Sequence, residues 1–562
     1  MKSESDSSDK TPSHDLAIYS FDHDHGVQPR NLAHLLGGKG AGLAEMTQVL
    51  NLPVPPGFTI AVPICRYYRK FGWPVGLDDQ IEFHIAELGR KMGRRFGDEG
   101  DPLLLAVRSG AARSMPGMLD TVLNLGLNDR TVAGLENCSG DHEFAWDSYR
   151  RFLQMYAVTV MGIPESIVEI SSGPLRSENL SKQVEWLKEQ ILRSAGTPVP
   201  DDPIQQLRMA IEAVFRSWDS ARAKTYRAAE GIDDDLGTAV NVQAMVFGNR
   251  GKDSGTGVLF TRNPSNGKNE LVGDYLPCGQ GEDVVSGKTI TMPIAELANH
   301  SPAVYGELKA LTRKLEVHYR DMCDIEFTVE RGHIWLLQTR IAKRNSVAAV
   351  RIAVELADDP EIQLGHDEAI KRADDTIRSR ARSTILAQLA KVENEDSLLA
   401  TGIGAAPGWA SGRIVLSSEA AVEADDDVIL VRRDTSPEDI AGMAAAMGIL
   451  TSSGGIASHA AVVAREWGVP TVVGAVELTV SPEGITTSKG VFIAEGETIT
   501  IDGSSGAVWR GAVAPLVMSD DLTEAAIERK LPELLTLESW AVTEQNSVPP
   551  KVGRAAETAG KP

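Results

Sequence analysis

Apolar and polar positions follow two different periods along the first 345 residues, and each period predicts a type of element. Between about 130 and 230, apolar residues return every three to four positions, as in "SKQVEWLKEQILRSA", which predicts amphipathic helices. From about 240 to 340, short apolar runs are separated by glycine turns, as in "GTGVLFTRNP", which predicts strands. We therefore predict one domain over residues 16–345 with a helical insertion at about 130–230.

The remaining residues divide into a connector, a second domain and two tails. Residues 346–400 are charged and contain few turn residues, which is typical of a helical linker. A compact β/α pattern over 401–515 predicts the second domain. Residues 1–15 and 516–562 are predicted to be a disordered N-terminal tail and a C-terminal tail. The predicted fold class is a multidomain protein of α/β and α+β type.

Composition narrows the class of partner. The chain has 562 residues, of which 42% are hydrophobic, enough for several buried cores. A formal net charge of -22 argues against a nucleic acid or an anionic membrane surface as the main partner. The four cysteines are far apart, with no paired metal spacing. Such cysteines are typical of the reduced thiols of a cytoplasmic protein, which is our prediction. The polar N-terminus contains no apolar signal segment, and no run approaches the ~20 apolar residues of a membrane span.

One histidine lies in an unusual setting, in "SSGGIASHAAVVAREWGVP". Two glycines precede it, Ser458 is a good N-cap, and the residues after His459 favour a helix. The free amides and positive dipole of a helix start form an anion site, and they favour a neutral, nucleophilic imidazole. Such a nitrogen is suited to receiving a phosphoryl group, but taken alone the pattern favours a histidine packed at a helix start, with the glycines forming only a turn.

Two further stretches are typical of phosphate binding. In "LLGGKGAGLAEM", glycines flank Lys39, so backbone amides and a lysine charge could both meet phosphate oxygens. In "LLLAVRSGAARSMPGM", an apolar strand ends near Arg108, whose guanidinium can bind phosphate oxygens through two donors. A plain glycine turn and a surface arginine remain alternatives. The paired methionines around the Pro-Gly turn are hard to explain by packing alone.

Two predicted hairpins complete the candidate site. "MVFGNRGKDSGTGVLFTRNP" predicts a hairpin whose glycine-rich loop covers nucleotide phosphates. In "CDIEFTVERGHIWLLQTR", Asp324 and Glu326 share one strand face, and Gln338 and Arg340 share a face of the next strand. A hairpin would bring these pairs together, so the two carboxylates and the amide could hold Mg²⁺. A solvated face with a cross-strand salt bridge is the alternative.

Taken together, these motifs resemble the pyruvate phosphate dikinase family in content and order, over roughly residues 16–515. "TSPEDIAGM" and "GQGEDVVSG" add to the resemblance. The resemblance implies an ATP-grasp-type nucleotide-binding domain followed by a swivelling phosphohistidine domain. It also implies that ATP is a substrate, that Mg²⁺ is the cofactor and that His459 is the phosphorylated nucleophile.

The resemblance also implies a role for each motif residue. Lys39 and Arg108 would contact ATP phosphates, and Arg340 would stabilise charge on the transferring group. Glu326, Gln338 and Asp324 would hold the metal. Glu282 would line the nucleotide pocket. Thr435 and Gly454 would border the phosphohistidine.

Two departures from the family pattern affect the expected activity. A regulatory threonine of plant members is replaced by Ala457, which excludes phospho-regulation at that position. Residues 516–562 cannot form the family's C-terminal (β/α)₈ barrel, which needs ~250 residues. We therefore expect the half-reaction from ATP and phosphate to AMP and pyrophosphate, with pyruvate served by a separate barrel protein. A different small-molecule or protein acceptor, an inactive nucleotide-sensing module and a homodimer remain open.

Overall fold

The computed structural model describes residues 17–113, 115, 117–170, 179–285, 291–387, 397–513 and 520–547. The tail predicted over 1–15 lies outside these residues. Within the described part, two antiparallel sheets and a set of helices occupy the first 345 residues, and a largely parallel sheet follows. The α/β and α+β multidomain class is therefore confirmed.

The first sheet carries Arg108 near its centre. The strand Leu105–Ala111 pairs on one side with Thr238–Ala244 and on the other with Thr121–Leu125, all antiparallel. Its apolar side chains Leu105 and Val107 are fully buried beneath the helical insertion. The strand order is Ile18–Ser20, Gly57–Ile60, Thr238–Ala244, Leu105–Ala111 and Thr121–Leu125.

The second sheet contains the hairpin that carries the carboxylates. Its strand order is Met292–Pro293, Val272–Pro277, Gly255–Phe260, Cys323–Glu330 and His333–Ile341. The hairpin predicted around the glycine-rich loop is wrong, because the strands flanking that loop belong to different sheets. Thr238–Ala244 pairs with Leu105–Ala111, whereas Gly255–Phe260 pairs with Cys323–Glu330. The local pattern of strand, glycines and strand is the same for a hairpin and for a crossover between sheets.

A glycine-containing helix, Ala33–Ala44, lies against both sheets. Its backbone is interrupted at Gly37, where φ is 67°. A Cβ at that position would lie 1.6 Å from the Gly110 carbonyl oxygen, so only glycine allows this close approach. On the other side, a Cβ at Gly42 would lie 3.2 Å from the Thr339 oxygen of the second sheet. Lys39 is therefore held between the two sheets.

Helices cover the first sheet and flank the second, as the apolar period predicts for 130–230. Those of the insertion include helices with side-chain caps, such as the Asn128 capping box that precedes Asp129–Ser139. The helices that cover and flank the two sheets are Val62–Phe71, Leu77–Met92, Asp129–Ser139, His142–Thr159, Glu165–Val168, Leu180–Ala195, Pro203–Ser217, Ala221–Glu230, Gly281–Val285, Leu297–His300 and Pro302–Tyr319. A short parallel pair, Arg95–Phe96 with Pro102–Leu103, lies between the helix Leu77–Met92 and the strand Leu105–Ala111.

The third sheet belongs to the second domain and carries His459 at its edge. Its parallel centre consists of Trp409–Val415, Val428–Arg432, Gly448–Thr451 and Thr471–Val473. Antiparallel strands flank this centre: Leu398–Thr401, Ala507–Arg510, Thr498–Asp502 and Ile403–Ala406. Three helices accompany it, Ser418–Glu423, Ile440–Ala445 and His459–Trp467. A small antiparallel sheet, Leu478–Ser481, Gly484–Thr487 and Phe492–Ala494, completes the domain.

The predicted connector and part of the predicted C-terminal tail form one helical layer. Helices Ser346–Asp358, His366–Arg372 and Asp375–Ala387 pack against Asp520–Lys530 and Pro532–Ser547. The tail prediction is therefore wrong for residues 520–547, whose Ile527, Leu531, Leu534 and Leu537 are fully buried. These apolar side chains pack in one cluster with the distant helices of residues 346–387, and a local sequence pattern does not reveal such a partner.

The histidine domain is docked on the nucleotide-binding domain. Met115 and Met118, in the loop after Leu105–Ala111, are buried together with Ile440, Ala460 and Val463 of the second domain. The two methionines therefore pack in the interface between the two domains, a role that the sequence pattern alone did not explain. Trp467 adds a bond from its indole nitrogen to Glu230 Oε1, at 2.6 Å. No helix among the described residues is long and apolar enough to span a membrane.

Candidate functional site

The hairpin register brings the predicted metal and arginine residues together. Asp324 lies opposite Arg340, and Glu326 lies opposite Gln338, on the strands Cys323–Glu330 and His333–Ile341. A register shift lies between Glu326 and Phe327, after which the pairing resumes with Phe327 opposite Leu336. The alternation of side chains along each strand therefore predicted this grouping correctly.

Each carboxylate of the hairpin is paired with an arginine. The Arg108 guanidinium reaches across from the first sheet and donates to Glu326 Oε2 at 2.6 Å and to the Leu337 oxygen at 3.3 Å. Arg340 Nε donates to Asp324 Oδ2 at 2.7 Å. These pairs line the space between the two sheets, where the Lys39 helix also lies.

The charges of this cluster act strongly on one another. Burial lowers the pKa of the Lys39 ammonium to about 7, with Arg108 and Arg340 acting in the same direction and Glu326 opposing them. Burial alone would raise the pKa of Glu326, but Arg108, Lys39 and Arg340 outweigh it and lower that pKa to about 2. Three basic groups thus face two acidic groups, which suits the binding of a polyanion.

The hairpin offers oxygen ligands that fit Mg²⁺. Asp324 is 6% exposed, and its Oδ1 has no hydrogen-bond partner within the described part of the chain. The Glu326 carboxylate is ionised and the Gln338 amide lies opposite it. No group of three or more His, Cys, Asp or Glu side chains among the described residues could hold a metal ion. Two carboxylates and an amide therefore fit a magnesium ion that takes its other ligands from phosphates and water.

His459 is the first residue of the helix His459–Trp467, as the sequence predicts. Its Nδ1 lies 3.0 Å from the Thr435 hydroxyl oxygen. Among the described residues its Nε2 has no hydrogen-bond partner, although this atom is buried. If Nδ1 donates its hydrogen to Thr435, Nε2 keeps its lone pair free for a phosphoryl group.

The free nitrogen of His459 faces the nucleotide-binding domain. A Cβ built on Gly117 would lie 3.6 Å from Nε2 and 3.4 Å from Cδ2 of the ring. Burial lowers the pKa of His459, while Asp439 and Glu438 act in the opposite direction. The imidazole is therefore neutral near pH 7. Burial, rather than the helix dipole expected from the sequence, is the largest cause of this neutrality.

The loop before His459 receives an anion, as expected of a helix start. Gly454 has a φ of 94°, which glycine adopts readily. The Asp274 carboxylate of the nucleotide-binding domain accepts hydrogen bonds from the Ala457 amide and from Thr291 Oγ1, the latter at 3.0 Å. Ser458 is the N-cap, but its side chain makes no capping bond. Asp274 is a contact that the sequence argument missed.

Glu282 lies apart from the Lys39 cluster. Its carboxylate pairs with Arg151 Nη1 at 3.0 Å, and the same nitrogen binds Asp283 at 2.8 Å. Burial raises the pKa of Glu282, with Arg151 opposing. Of the predicted residues, Lys39, Arg108, Asp324, Glu326, Gln338 and Arg340 form one group, and Thr435, Gly454 and His459 form a second.

Comparison with known proteins assigns each half of this site to a family. The family described as "Pyruvate phosphate dikinase, AMP/ATP-binding domain" matches residues 74–296 and 289–359. The family described as "PEP-utilising enzyme, mobile domain" matches residues 424–506, which include His459. The two matches lie in the two domains that dock on each other, and the Lys39 helix precedes the first match.

Several relatives that match most of this chain are named pyruvate, phosphate dikinase. The enzyme of Rhizobium meliloti (strain 1021) is 47% identical over 511 residues, which are 86% of this chain and 56% of the relative. That of Clostridium symbiosum is 43% identical over 515 residues, or 88% of this chain and 58% of the relative. The chloroplastic enzyme of Flaveria pringlei is 44% identical over 531 residues, which are 90% of this chain and 54% of the relative.

The chain therefore spans between 54% and 58% of the length of these three relatives. The matched regions agree with the motif order in the sequence, and the resemblance drawn from it is confirmed. The chain belongs to the pyruvate phosphate dikinase family.

Proposed function

We propose that this protein is a phosphotransferase of class 2.7.9 that carries out the nucleotide half-reaction of a pyruvate phosphate dikinase. ATP and phosphate would give AMP and pyrophosphate, and the protein would keep one phosphoryl group on His459. One observation carries the proposal: a neutral imidazole, with its Nε2 unpartnered among the described residues, is docked on a domain whose cationic cluster suits a nucleotide. A nucleophile beside an electrostatic clamp is what phosphoryl transfer requires.

The proposed transfer from ATP to His459 proceeds in two steps. The His459 Nε2 lone pair forms a bond to the β-phosphorus of ATP while the bridge to the α-phosphorus breaks, so AMP leaves with the bridging oxygen. Inorganic phosphate then takes the γ-phosphoryl group and departs as pyrophosphate. The β-phosphoryl group stays on Nε2, and the hydrogen on Nδ1 stays near Thr435.

The cationic cluster has a separate task for each member. Lys39 and Arg108 would bind phosphate oxygens, and the incoming charge would keep Lys39 protonated despite its pKa of about 7. Arg340 would face the charge that develops on the transferring group. Glu326, Gln338 and Asp324 would hold Mg²⁺, which when bound neutralises phosphate charge. Glu282 would lie at the edge of the nucleotide pocket, where its carboxylate pairs with Arg151.

The final acceptor is proposed to be pyruvate, which would give phosphoenolpyruvate on a separate barrel protein. A different small-molecule or protein acceptor is the alternative with the same histidine chemistry. The four cysteines are unpaired, which supports a reducing, cytoplasmic location. A homodimer stays a prediction that native mass spectrometry would test.

Labelling with ATP tests the proposal. Incubation with ATP radiolabelled at the β-phosphorus, with Mg²⁺ and phosphate, should give an acid-labile, base-stable label and an equal amount of AMP. His459→Ala should abolish the label, whereas His142→Ala, which removes an exposed histidine of the helical insertion, should leave it unchanged. ATP binding without AMP release would contradict the proposal and favour a nucleotide-sensing module.

The acceptor is tested with isolated, labelled protein. Adding pyruvate and a candidate barrel protein should move the label into phosphoenolpyruvate. If the label moves to a different acceptor but not to pyruvate, the histidine chemistry is supported and the assignment of pyruvate is overturned.

A further inference from the structure

The histidine helix carries a second ionisable residue toward the nucleotide-binding domain. Arg465 lies six positions after His459, in the same helix. Its guanidinium carbon is 5.3 Å from the centre of the Phe260 ring, which belongs to the other domain. A cation over an aromatic face at this distance is a favourable contact. Docking of the histidine domain thus places Arg465 on the second sheet.

Phe260 lies beside the Asp324–Arg340 pair. In the sheet register, Phe260 is opposite Asp324 on one side, and Arg340 is opposite Asp324 on the other. The electrostatic environment agrees: burial lowers the pKa of Arg465 to about 10, Asp324 opposes this effect, and Arg340 adds to it. Arg465 therefore lies within the field of the charges assigned to the transferring phosphoryl group.

The same guanidinium supports the loop that presents the histidine. Its Nη2 donates to the Ile456 oxygen at 2.7 Å, three residues before His459, and its Nη1 donates to the Ala405 oxygen at 3.4 Å. These bonds tie the loop to the body of the histidine domain. Arg465 is thus linked to both reacting halves of the site.

We propose that Arg465 is a positioning residue for the phosphoryl transfer, delivered to the nucleotide site by docking of the histidine domain. Its charge acts on Asp324, whose Oδ1 has no hydrogen-bond partner in the described part of the chain, and its hydrogen bond to Ile456 holds the loop that carries His459. The positive charge of Arg465 then reaches Asp324 and Arg340 only when the histidine domain is docked. Nucleotide cleavage is thereby coupled to the presence of the acceptor imidazole.

This inference rests on the proposed function, and rapid-quench kinetics can separate the two. Single-turnover labelling of His459 should be measured for Arg465→Met and Arg465→Lys, together with the dissociation constant for ATP. Arg465→Met should slow labelling at least tenfold with unchanged ATP affinity, because the nucleotide binds before docking. Arg465→Lys should recover part of the rate through its charge.

A matched control and a second variant keep the test decisive. Arg413→Met removes an exposed arginine of the same domain, paired with Asp426, and should label at the wild-type rate. If Arg465→Met fails to fold in a thermal melt, Arg465→Gln replaces it, because its amide can still donate to Ile456.

A double-mutant experiment with Asp324 distinguishes an electrostatic role of Arg465 from a structural one. In an Asp324→Asn background, adding Arg465→Met should slow labelling much less than it does in the wild type. A folded neutral variant that labels at the wild-type rate, or a full effect in the Asp324→Asn background, would overturn the inference. No labelling of the wild type would instead overturn the proposed function itself.

Discussion

The contact between Gly455 and Asp274 offers the sharpest test of docking. Gly455 belongs to the loop before His459, and a Cβ there would lie 2.5 Å and 2.8 Å from the two Asp274 carboxylate oxygens. Non-bonded carbon contacts are normally about 3.5–4.0 Å, so alanine would overlap the carboxylate by roughly 1 Å. Gly455 is not among the glycines with positive φ, so alanine adds no backbone strain there. Gly455→Ala therefore perturbs the docked arrangement selectively.

The size of the effect follows from the overlap. Forcing an extra methyl group into a packed site costs typically about 1–3 kcal/mol, which corresponds to a roughly 5-fold to 150-fold loss of docked protein. Asp274 cannot move away without giving up its bonds to Thr291 and to the Ala457 amide. We expect single-turnover labelling of His459 to fall by this factor while ATP affinity stays unchanged.

Two companion variants give this experiment its controls. Gly306→Ala adds a methyl group in open space on the helix Pro302–Tyr319 and should label normally. Asp274→Ala removes the clashing carboxylate, so the Gly455→Ala/Asp274→Ala double variant should label faster than Gly455→Ala alone. If Gly455→Ala labels as fast as Gly306→Ala, the docked arrangement is not the one in which transfer occurs.

Three further predictions concern other parts of the molecule. Lys39 has a pKa of about 7 in the free protein, so ATP binding at pH 8 should take up close to one proton, measured by calorimetry in two buffers, and Lys39→Arg should abolish the uptake. Thr435→Val leaves Nδ1 of His459 unpaired and should slow labelling roughly tenfold or more, whereas Thr435→Ser keeps the hydroxyl and should label at close to the wild-type rate. Leu534→Ala should destabilise the helical layer by about 2–5 kcal/mol in urea unfolding, and a change below about 0.5 kcal/mol would contradict its buried position.

The sequence predicted the parts of the site that depend on local periodicity. Side-chain alternation along Cys323–Glu330 and His333–Ile341 placed Asp324, Glu326 and their partners on facing positions. The glycines and the N-cap placed His459 at a helix start. These features need only the geometry of one strand pair or one helix, which a short window of sequence contains.

The features that sequence reasoning missed depend on distant partners. The crossover between sheets, the helical layer with residues 520–547 and the burial of Met115 and Met118 all need contacts far along the chain. Asp274 and Arg465 look like ordinary charged residues of a strand and a helix until the domains dock.

The most direct measurement identifies the nitrogen that is phosphorylated. Nuclear magnetic resonance of the ¹⁵N-histidine-labelled protein, after reaction with ATP, Mg²⁺ and phosphate, distinguishes the two ring nitrogens of His459. We expect a phosphorus bond to Nε2, with the hydrogen retained on Nδ1 beside Thr435. Phosphorylation of Nδ1, or of no histidine at all, would contradict it.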